Sequence, residues 1–168
     1  MVAKSRKRMK KTAKTNAARL LEHAGIAFEL IPYPVDPDNL DASHVADALG
    51  EDINRVFKTL VLSGTGVGNL VCVVPGNREV DLKKAARMAG AKKADLIPMK
   101  ELLPLTGYIR GGCSPIGMKK PFPTFIHESA LLFDRIYISA GVRGLQLALN
   151  PADLISFINA QTADLTAQ

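Results

Sequence analysis

Apolar positions along the chain follow two different spacings, and each change of spacing marks a predicted element. Apolar residues three or four positions apart predict helices over 15–24 and over 44–50, the second capped by Ser43. Asp81 and Pro151 each begin a further predicted helix. Predicted strands cover 26–34, 55–64, 70–76, 124–128, 135–141 and 145–150. Because strands and helices mix without strict alternation, the pattern predicts a mixed α/β fold with helices packed around a sheet.

Basic charge is concentrated at the N-terminus. Residues 1–14 hold seven of the 22 Lys and Arg residues and no acidic residue. Without those seven, 15 basic residues remain against 16 acidic ones, a net charge of −1, so the overall +6 comes from this segment. We therefore predict a basic, disordered tail over 1–11 and one domain over 12–168. The tail either attracts nucleic acid or is a solvated extension.

Composition narrows the class of protein. A chain of 168 residues, 47% of them hydrophobic, suits one globular domain. No apolar run approaches the roughly 20 residues that span a bilayer, and no signal-peptide pattern follows the basic start. Two cysteines, Cys72 and Cys113, form neither a disulfide framework nor a metal-ligand spacing. These features predict a cytoplasmic protein that holds no metal and does not contact membranes.

Lys58 lies inside a strongly apolar predicted strand. In "VFKTLVL", strand alternation places Lys58 on one face with Val56 and Leu60, and both faces are mostly apolar. An ammonium group there is costly unless it reaches water, a partner or a ligand. Lys58 is therefore either the floor of a pocket for an anion or a carbonyl, or a side chain that reaches solvent from the strand end.

The segment "GYIRGGCSPIGMKK" (107–120) contains four glycines and offers a second candidate site. A nucleophilic Cys113 would need a base or positive surroundings, and no histidine is related to it by sequence. The simpler interpretation is that Cys113 is a small residue in a tight loop. Ser114 lacks the nucleophile-elbow pattern. The backbone N–H groups of Gly111–Ser114 are better candidates, because they can surround a carbonyl oxygen or its oxyanion.

A second glycine-rich segment, "SAGVRGLQ" (139–146), directly follows a predicted strand. It either cradles a phosphate or a ribose, with Arg143 as the charge, or is a turn between strands. Neither glycine-rich segment has the Walker or the Rossmann spacing. The sequence therefore disfavours nucleotide-hydrolysing and dinucleotide-dependent enzymes.

Four segments occur in this order along the chain: "VFKTLV", "DLKKAARMAGAKKA", "TGYIRGGCSPIGMKK" and "IYISAGVRGLQ". Together they resemble the YbaK/EbsC family of aminoacyl-tRNA deacylases. The resemblance covers about residues 12–160, and the family is related to the editing domain of bacterial prolyl-tRNA synthetases. It implies a mixed α/β fold with a barrel-like central sheet. It also implies hydrolysis of the ester that joins a wrong amino acid to tRNA.

The resemblance also implies site residues. Lys58 matches the essential lysine of the family, and Gly112 and Ser114 match its glycine-x-serine-proline loop, so these three are the predicted catalytic residues. Where some relatives have an acidic residue after Arg-Gly-Leu, this chain has Gln146. The resemblance and the two glycine-rich segments together give the predicted substrate-binding residues, which are Tyr33, Gly111, Cys113, Ser139, Gly141, Arg143 and Gly144.

The best-known branch of the family removes cysteine from tRNA(Pro), and the sequence looks closest to that branch. The implied reaction needs no cofactor, because the thiol of the bound cysteine attacks its own ester carbonyl. The implied partners are the 3′ end of an aminoacyl-tRNA and prolyl-tRNA synthetase. The alternative is a non-catalytic module of the same fold that binds a nucleotide or an RNA end, or regulates a partner.

Overall fold

The computed structural model describes residues 14–167, so the tail predicted over 1–11 lies outside the described residues. The α-helices within that range are α1 (Asn16–His23), α2 (Ala42–Leu49), α3 (Leu82–Ala89), α4 (Leu102–Thr106) and α5 (Pro151–Ile158). The strands are β1 (Phe28–Pro32), β2 (Phe57–Gly64), β3 (Gly68–Pro75), β4 (Ala94–Leu96), β5 (Thr124–His127), β6 (Ile136–Ser139), β7 (Leu145–Leu149) and β8 (Gln161–Ala163). Within 14–167, no helix has the length and apolar character needed to cross a membrane.

The strands form two sheets. One is antiparallel with the order β1–β7–β6, and the other is mixed with the order β4–β2–β3–β5–β8. In the second sheet β2 and β3 form a hairpin, whereas β3, β5 and β8 run parallel. The predicted mixed α/β fold is confirmed. The barrel-like description is not, because a single isolated bridge, Val56 to Tyr137, links the two sheets where a barrel would need a continuous ladder.

Strand β2 changes neighbours along its length. At its start, Val56 makes the bridge to Tyr137 of β6. At its far end, Leu62–Gly64 pairs with β4. Between these points β2 pairs only with β3, on its other side. The two sheets therefore enclose a gap in strand pairing beside the middle of β2.

Three groups of buried side chains hold this arrangement. The largest packs α1 and α5 against both sheets, with Leu21 and Leu154 fully buried. A second packs α3 against the opposite face of the five-stranded sheet, so that sheet is covered on both faces. A third joins Val45 of α2 to Val56 and Tyr137, the two residues of the bridge. This last group places the N-terminal end of α2 beside the gap.

Local sequence signals account for several element ends. The carboxylate of Asp81 accepts from two N–H groups at the start of α3, and Pro151 is the first residue of α5, as predicted. The predicted Ser43 cap is wrong. Helix α2 begins at Ala42, and its N-cap is Asp41, whose side chain makes no capping hydrogen bond. Strand β8 was not predicted, because its three residues are short and polar and depend on parallel pairing with β5.

Candidate active site

A cavity of about 480 Å³ occupies the gap between the sheets. Its walls come from the N-terminal end of α2, the middle of β2, the segment after β4, the first glycine-rich loop and the ends of β6 and β7. Most of the lining is apolar. The polar and charged lining residues are Asp41, Lys58, Thr59, Arg110, Cys113, Ser139 and Gln146.

The exposed edge of β2 forms one wall of this cavity. Val61 O accepts from Ile97 N at 3.2 Å on the β4 side, whereas Val56 O accepts from Gly76 N at 2.8 Å on the β3 side. Since successive peptide groups of a strand point to opposite sides, those of Phe57 and Thr59 point toward the gap. Main-chain donors and acceptors are therefore available to a bound molecule along this edge.

Lys58 lies on this wall and lines the cavity. It is half-buried and stands opposite Val74 of β3. Within residues 14–167 no carboxylate lies within 4 Å of its ammonium group. Lys58, which was predicted to face a pocket, therefore lines a cavity, and its charge is free to meet a ligand. Its catalytic role remains a prediction.

The first glycine-rich loop meets the cavity through some of its predicted residues only. Gly111 and Cys113 line the cavity, whereas Gly112 and Ser114 do not. Ser114 is fully buried, and its hydroxyl oxygen accepts from Ile116 N at 3.2 Å. Gly112 N donates to Ile109 O at 2.9 Å, so this N–H is already bonded within the loop. Of the four residues whose N–H groups were predicted to surround an oxygen, only Gly111 and Cys113 therefore lie at the cavity wall.

Cys113 is poorly suited to be a nucleophile. Burial raises the pKa of its thiol to about 12, and a hydrogen bond with Thr106 lowers it by a smaller amount. The group is therefore a neutral thiol near pH 7. Its place in the cavity wall agrees with a small contact residue.

The two glycine-rich loops are fastened to each other. Arg143 Nε donates to Arg110 O at 2.8 Å. A Cβ on Gly112 would lie 3.1 Å from the main chain of Val142 and Arg143, which is crowded, so a larger residue would push the loops apart. The predicted substrate-binding residue Arg143 thus supports the loop whose Arg110 and Gly111 line the cavity.

The other predicted binding residues shape the second loop. Ser139 lines the cavity, and its hydroxyl oxygen accepts from Gly141 N at 3.1 Å. Tyr33 N donates to Gly144 O at 2.9 Å. Tyr33, Gly141 and Gly144 are not lining residues, and their hydrogen bonds hold this loop in place.

Residues 36–157 match the family model of the aminoacyl-tRNA editing domain. The chain belongs to this family. EbsC of Enterococcus faecalis, named as a candidate Cys-tRNA(Pro)/Cys-tRNA(Cys) deacylase, is 46% identical over 155 residues, which are 92% of this chain and 94% of EbsC. YwhH of Bacillus subtilis, which is named as uncharacterized, is 29% identical over 112 residues, covering 67% of this chain and 71% of YwhH. The resemblance noted in the sequence is confirmed.

Solved structures agree with this assignment. A crystal structure described as that of a candidate trans-editing enzyme for prolyl-tRNA synthetase superposes with a TM-score of 0.79 at 27% identity, covering 92% of this chain and 99% of the other. The hypothetical protein APE2540 superposes with a TM-score of 0.81 at 21% identity, covering 89% and 97% of the two chains. The second match shows the shared fold alone.

In this editing domain, four of the polar and charged lining residues were not predicted as site residues. They are Asp41, Thr59, Arg110 and Gln146. The hydroxyl oxygen of Thr59 and the amide oxygen of Gln146 are buried and have no hydrogen-bond partner within residues 14–167. A signal for Gln146 was present, because it interrupts the apolar run "LQLAL" just as Lys58 interrupts its own strand. Asp41 gave no comparable signal, since it lies in a polar loop.

Proposed function

We propose that this protein is a trans-editing deacylase that cleaves the aminoacyl ester of Cys-tRNA(Pro), with Cys-tRNA(Cys) as a second substrate. The observation that carries the proposal is the cavity, which combines Lys58 on an open strand edge with a glycine loop in a member of the editing-domain family. The name of the relative EbsC supports the choice of cysteine as the amino acid.

The proposed reaction uses the substrate's own thiol. The sulfur of the bound cysteine attacks its ester carbonyl, a C–S bond forms, and the bond from the carbonyl carbon to the ribose oxygen breaks. The thiol proton passes to that ribose oxygen, and a cyclic thiolactone leaves. A cationic side chain, Arg110, lines the cavity together with Lys58 and favours the negative charge that develops on sulfur and on the carbonyl oxygen.

The protein then has to hold the ester in one geometry. Lys58 anchors the 3′-terminal adenosine or its phosphate, and the N–H groups of Gly111 and Cys113 face the carbonyl oxygen. Holding the reacting groups together can lower a barrier by several kcal/mol, roughly 7–11 in the best cases. One oxyanion donor can be worth about 10²–10³ in rate. No protein nucleophile is required, which is consistent with the neutral thiol of Cys113.

In this proposal, the affinity for the rest of the tRNA does not come from the domain itself. Without the seven basic residues of the N-terminal segment the net charge is −1, which gives little general attraction to a polyanion. The tail or a complex with prolyl-tRNA synthetase supplies the missing affinity. If the tail does so, deleting residues 1–11 flattens the salt dependence of tRNA binding. An unchanged salt slope would leave the synthetase as the source.

The proposal is tested by deacylation of Cys-, Ala-, Ser- and Pro-tRNA by the wild-type protein and by Lys58→Ala. We expect rapid release of cysteine alone, and loss of that release in Lys58→Ala. The matched control is Lys83→Ala, because Lys83 is an exposed lysine on α3, away from the cavity. It should keep the wild-type rate.

Two outcomes would count against the proposal. Equal rates on all four aminoacyl-tRNAs would exclude the thiol-assisted route. Absence of release from every substrate, with a folded wild-type protein, would favour the alternative of a non-catalytic module that binds an RNA end.

A further inference from the structure

Gln146 occupies an unusual place for an amide side chain. It lies on β7, the central strand of the three-stranded sheet, opposite Ile31 of β1 and Ser139 of β6. Its neighbours Leu145 and Leu147 belong to the largest core group, so strand alternation turns Gln146 to the other face, toward the cavity. The residue is only 5% exposed.

The amide oxygen of Gln146 has no hydrogen-bond donor within residues 14–167. Its polar partner across the strands is Ser139, whose hydroxyl oxygen accepts from Gly141 N and makes no hydrogen bond to Gln146 Oε1. A buried acceptor without a donor destabilises the folded protein, and an apolar residue of similar shape would remove that penalty. An unpaired oxygen in a cavity wall is therefore best explained by a ligand that brings the donor.

The hydrogen-bonding capacity of Gln146 and the charges around it indicate which group of the ligand it contacts. A carbonyl oxygen accepts hydrogen bonds only, whereas the other unpaired atom, Thr59 Oγ1, can also donate. The group of an aminoacyl ester that offers only donors is its α-ammonium. The cations Lys58 and Arg110 repel that group, and among the lining residues of the described range 14–167 Asp41 is the one carboxylate. Asp41 lies at the start of α2 and is not used for capping, so its charge is free to attract the ammonium.

We propose that Gln146 Oε1 accepts a hydrogen bond from the α-ammonium of the aminoacyl ester, with Asp41 supplying the nearby negative charge. The inference rests on the proposed deacylase function and deepens it. Gln146 thereby selects substrates with a free amino group and turns the carbonyl toward the glycine loop. Aminoacyl-tRNAs with a blocked amino group are rejected even when their side chain is correct.

The test compares Cys-tRNA(Pro) with N-acetyl-Cys-tRNA(Pro), in which the thiol is intact and the ammonium is gone. The proteins are wild type, Gln146→Met and Gln146→Glu, measured in single-turnover deacylation. We expect wild type to prefer the free amine by about tenfold or more, the value of a hydrogen bond to a charged group. Gln146→Met should lose most of that preference, because cleavage of the free-amine substrate slows more than cleavage of the acetylated one. Gln146→Glu, which keeps an acceptor, should retain the preference.

Thermal unfolding of the same proteins separates recognition from a structural role. Gln146→Met should melt at or above the wild-type temperature, because it removes a buried unpaired oxygen. A variant that slows both substrates by the same factor, or a wild type without preference for the free amine, would overturn the inference.

A binding measurement keeps this inference distinct from the proposed function. Calorimetry with 3′-cysteinylamido-adenosine, which cannot be hydrolysed, and with its N-acetyl form reports recognition without turnover. Tighter binding of the free amine by wild type, lost in Gln146→Met, supports the inference even if no ester is cleaved. Equal binding of both forms refutes it, whatever the deacylation rates are.

Discussion

The side chain of Arg143 binds the main chain of Arg110, with Nε donating to O at 2.8 Å. This bond joins the second glycine-rich loop to the first, 33 residues earlier in the chain. Close packing of Gly112 against the second loop reinforces the contact. The two loops therefore form one wall of the cavity, and the position of Gly111 in that wall depends on both.

Replacing Arg143 should impair activity more than stability. In Arg143→Ala the bond to Arg110 O is lost, and the loop that carries Gly111 is no longer held. We expect kcat/KM for deacylation to fall about tenfold to a hundredfold, since small misplacements of reacting groups have effects of this size. The free energy of unfolding should fall by about 1 kcal/mol, the value of a single hydrogen bond. Arg87→Ala, at an exposed position of α3, is the control and should change neither. An unchanged kcat/KM in Arg143→Ala would show that the loops do not depend on this bond.

A methyl group at position 112 should separate the two loops. The added Cβ of Gly112→Ala meets main-chain atoms 3.1 Å away, and these cannot rotate aside as a side chain would. We expect slower deacylation and a loss of about 1–3 kcal/mol in the free energy of unfolding, measured with urea. Gly66→Ala at the hairpin tip is strained by its φ of +80° but meets no atom within 4 Å. It should lose stability alone, and a normal rate for Gly112→Ala would contradict the role given to this packing.

Cys113 should be dispensable for the chemistry. Its thiol has a pKa raised to about 12 by burial, so near pH 7 it is neither a thiolate nor a good nucleophile. We expect Cys113→Ala to keep kcat within about threefold of wild type, with a modest loss of stability from the small void. Single-turnover deacylation checks the rate. A loss of about a thousandfold would instead make Cys113 a catalytic residue.

His127 should make the stability depend on pH. It is buried, and its Nδ1 accepts from Leu165 N at 3.1 Å, which requires the unprotonated ring. Burial lowers its pKa below the ordinary value of 6.5, and the charges of Arg78 and Lys84 add to this effect against that of Asp164. The unfolded chain therefore takes up the proton first as pH falls. Stability is complete above about pH 6.5 and decreases below it, by at most about 1.4 kcal/mol per pH unit, until the folded pKa is reached.

The His127 effect is isolated by comparing urea unfolding of wild type and His127→Asn between pH 7.5 and 5. The asparagine oxygen can accept from Leu165 N but does not titrate in this range. As pH falls, we expect the unfolding free energy of the wild type to decrease relative to that of His127→Asn. His23→Asn, at an exposed position, should run parallel to wild type. Parallel curves for His127→Asn as well would refute the assignment.

Local signals in the sequence predicted what local contacts decide. Asp81 caps α3 and Pro151 begins α5 because each depends on neighbouring residues only. Lys58 was recognised as a cavity candidate because a charge inside an apolar strand needs an explanation. The six predicted strands are present, with ends that differ by a residue or two; the first, predicted over 26–34, is the shorter Phe28–Pro32.

What the sequence did not reveal depends on contacts between distant segments. The gap beside β2 exists because pairing with β6 stops at the Val56 bridge, directly before β2, and pairing with β4 begins at Leu62. The residues of β2 by themselves do not determine where its pairing with β6 or with β4 ends. For the same reason, the burial of Ser114 behind the cavity wall was not foreseen, since its loop motif specifies residue types and not their direction. The unpaired oxygen of Gln146 likewise became meaningful only once its surroundings were known.

The missing strand neighbour along the middle of β2 has a consequence for how such a protein can diversify. Side chains on a paired strand must fit those of the strand beside them, and substitutions there disturb the sheet. On the cavity side of Phe57–Leu60 the residues that the structure describes supply no such neighbour, so other lining residues, such as Met99 and Val45, can change in size while the ladder between β2 and β3 stays intact. Substitutions can therefore change the dimensions of the pocket without changing the strand pairing that supports it. New amino-acid preferences can arise on this scaffold through a few substitutions without rebuilding it.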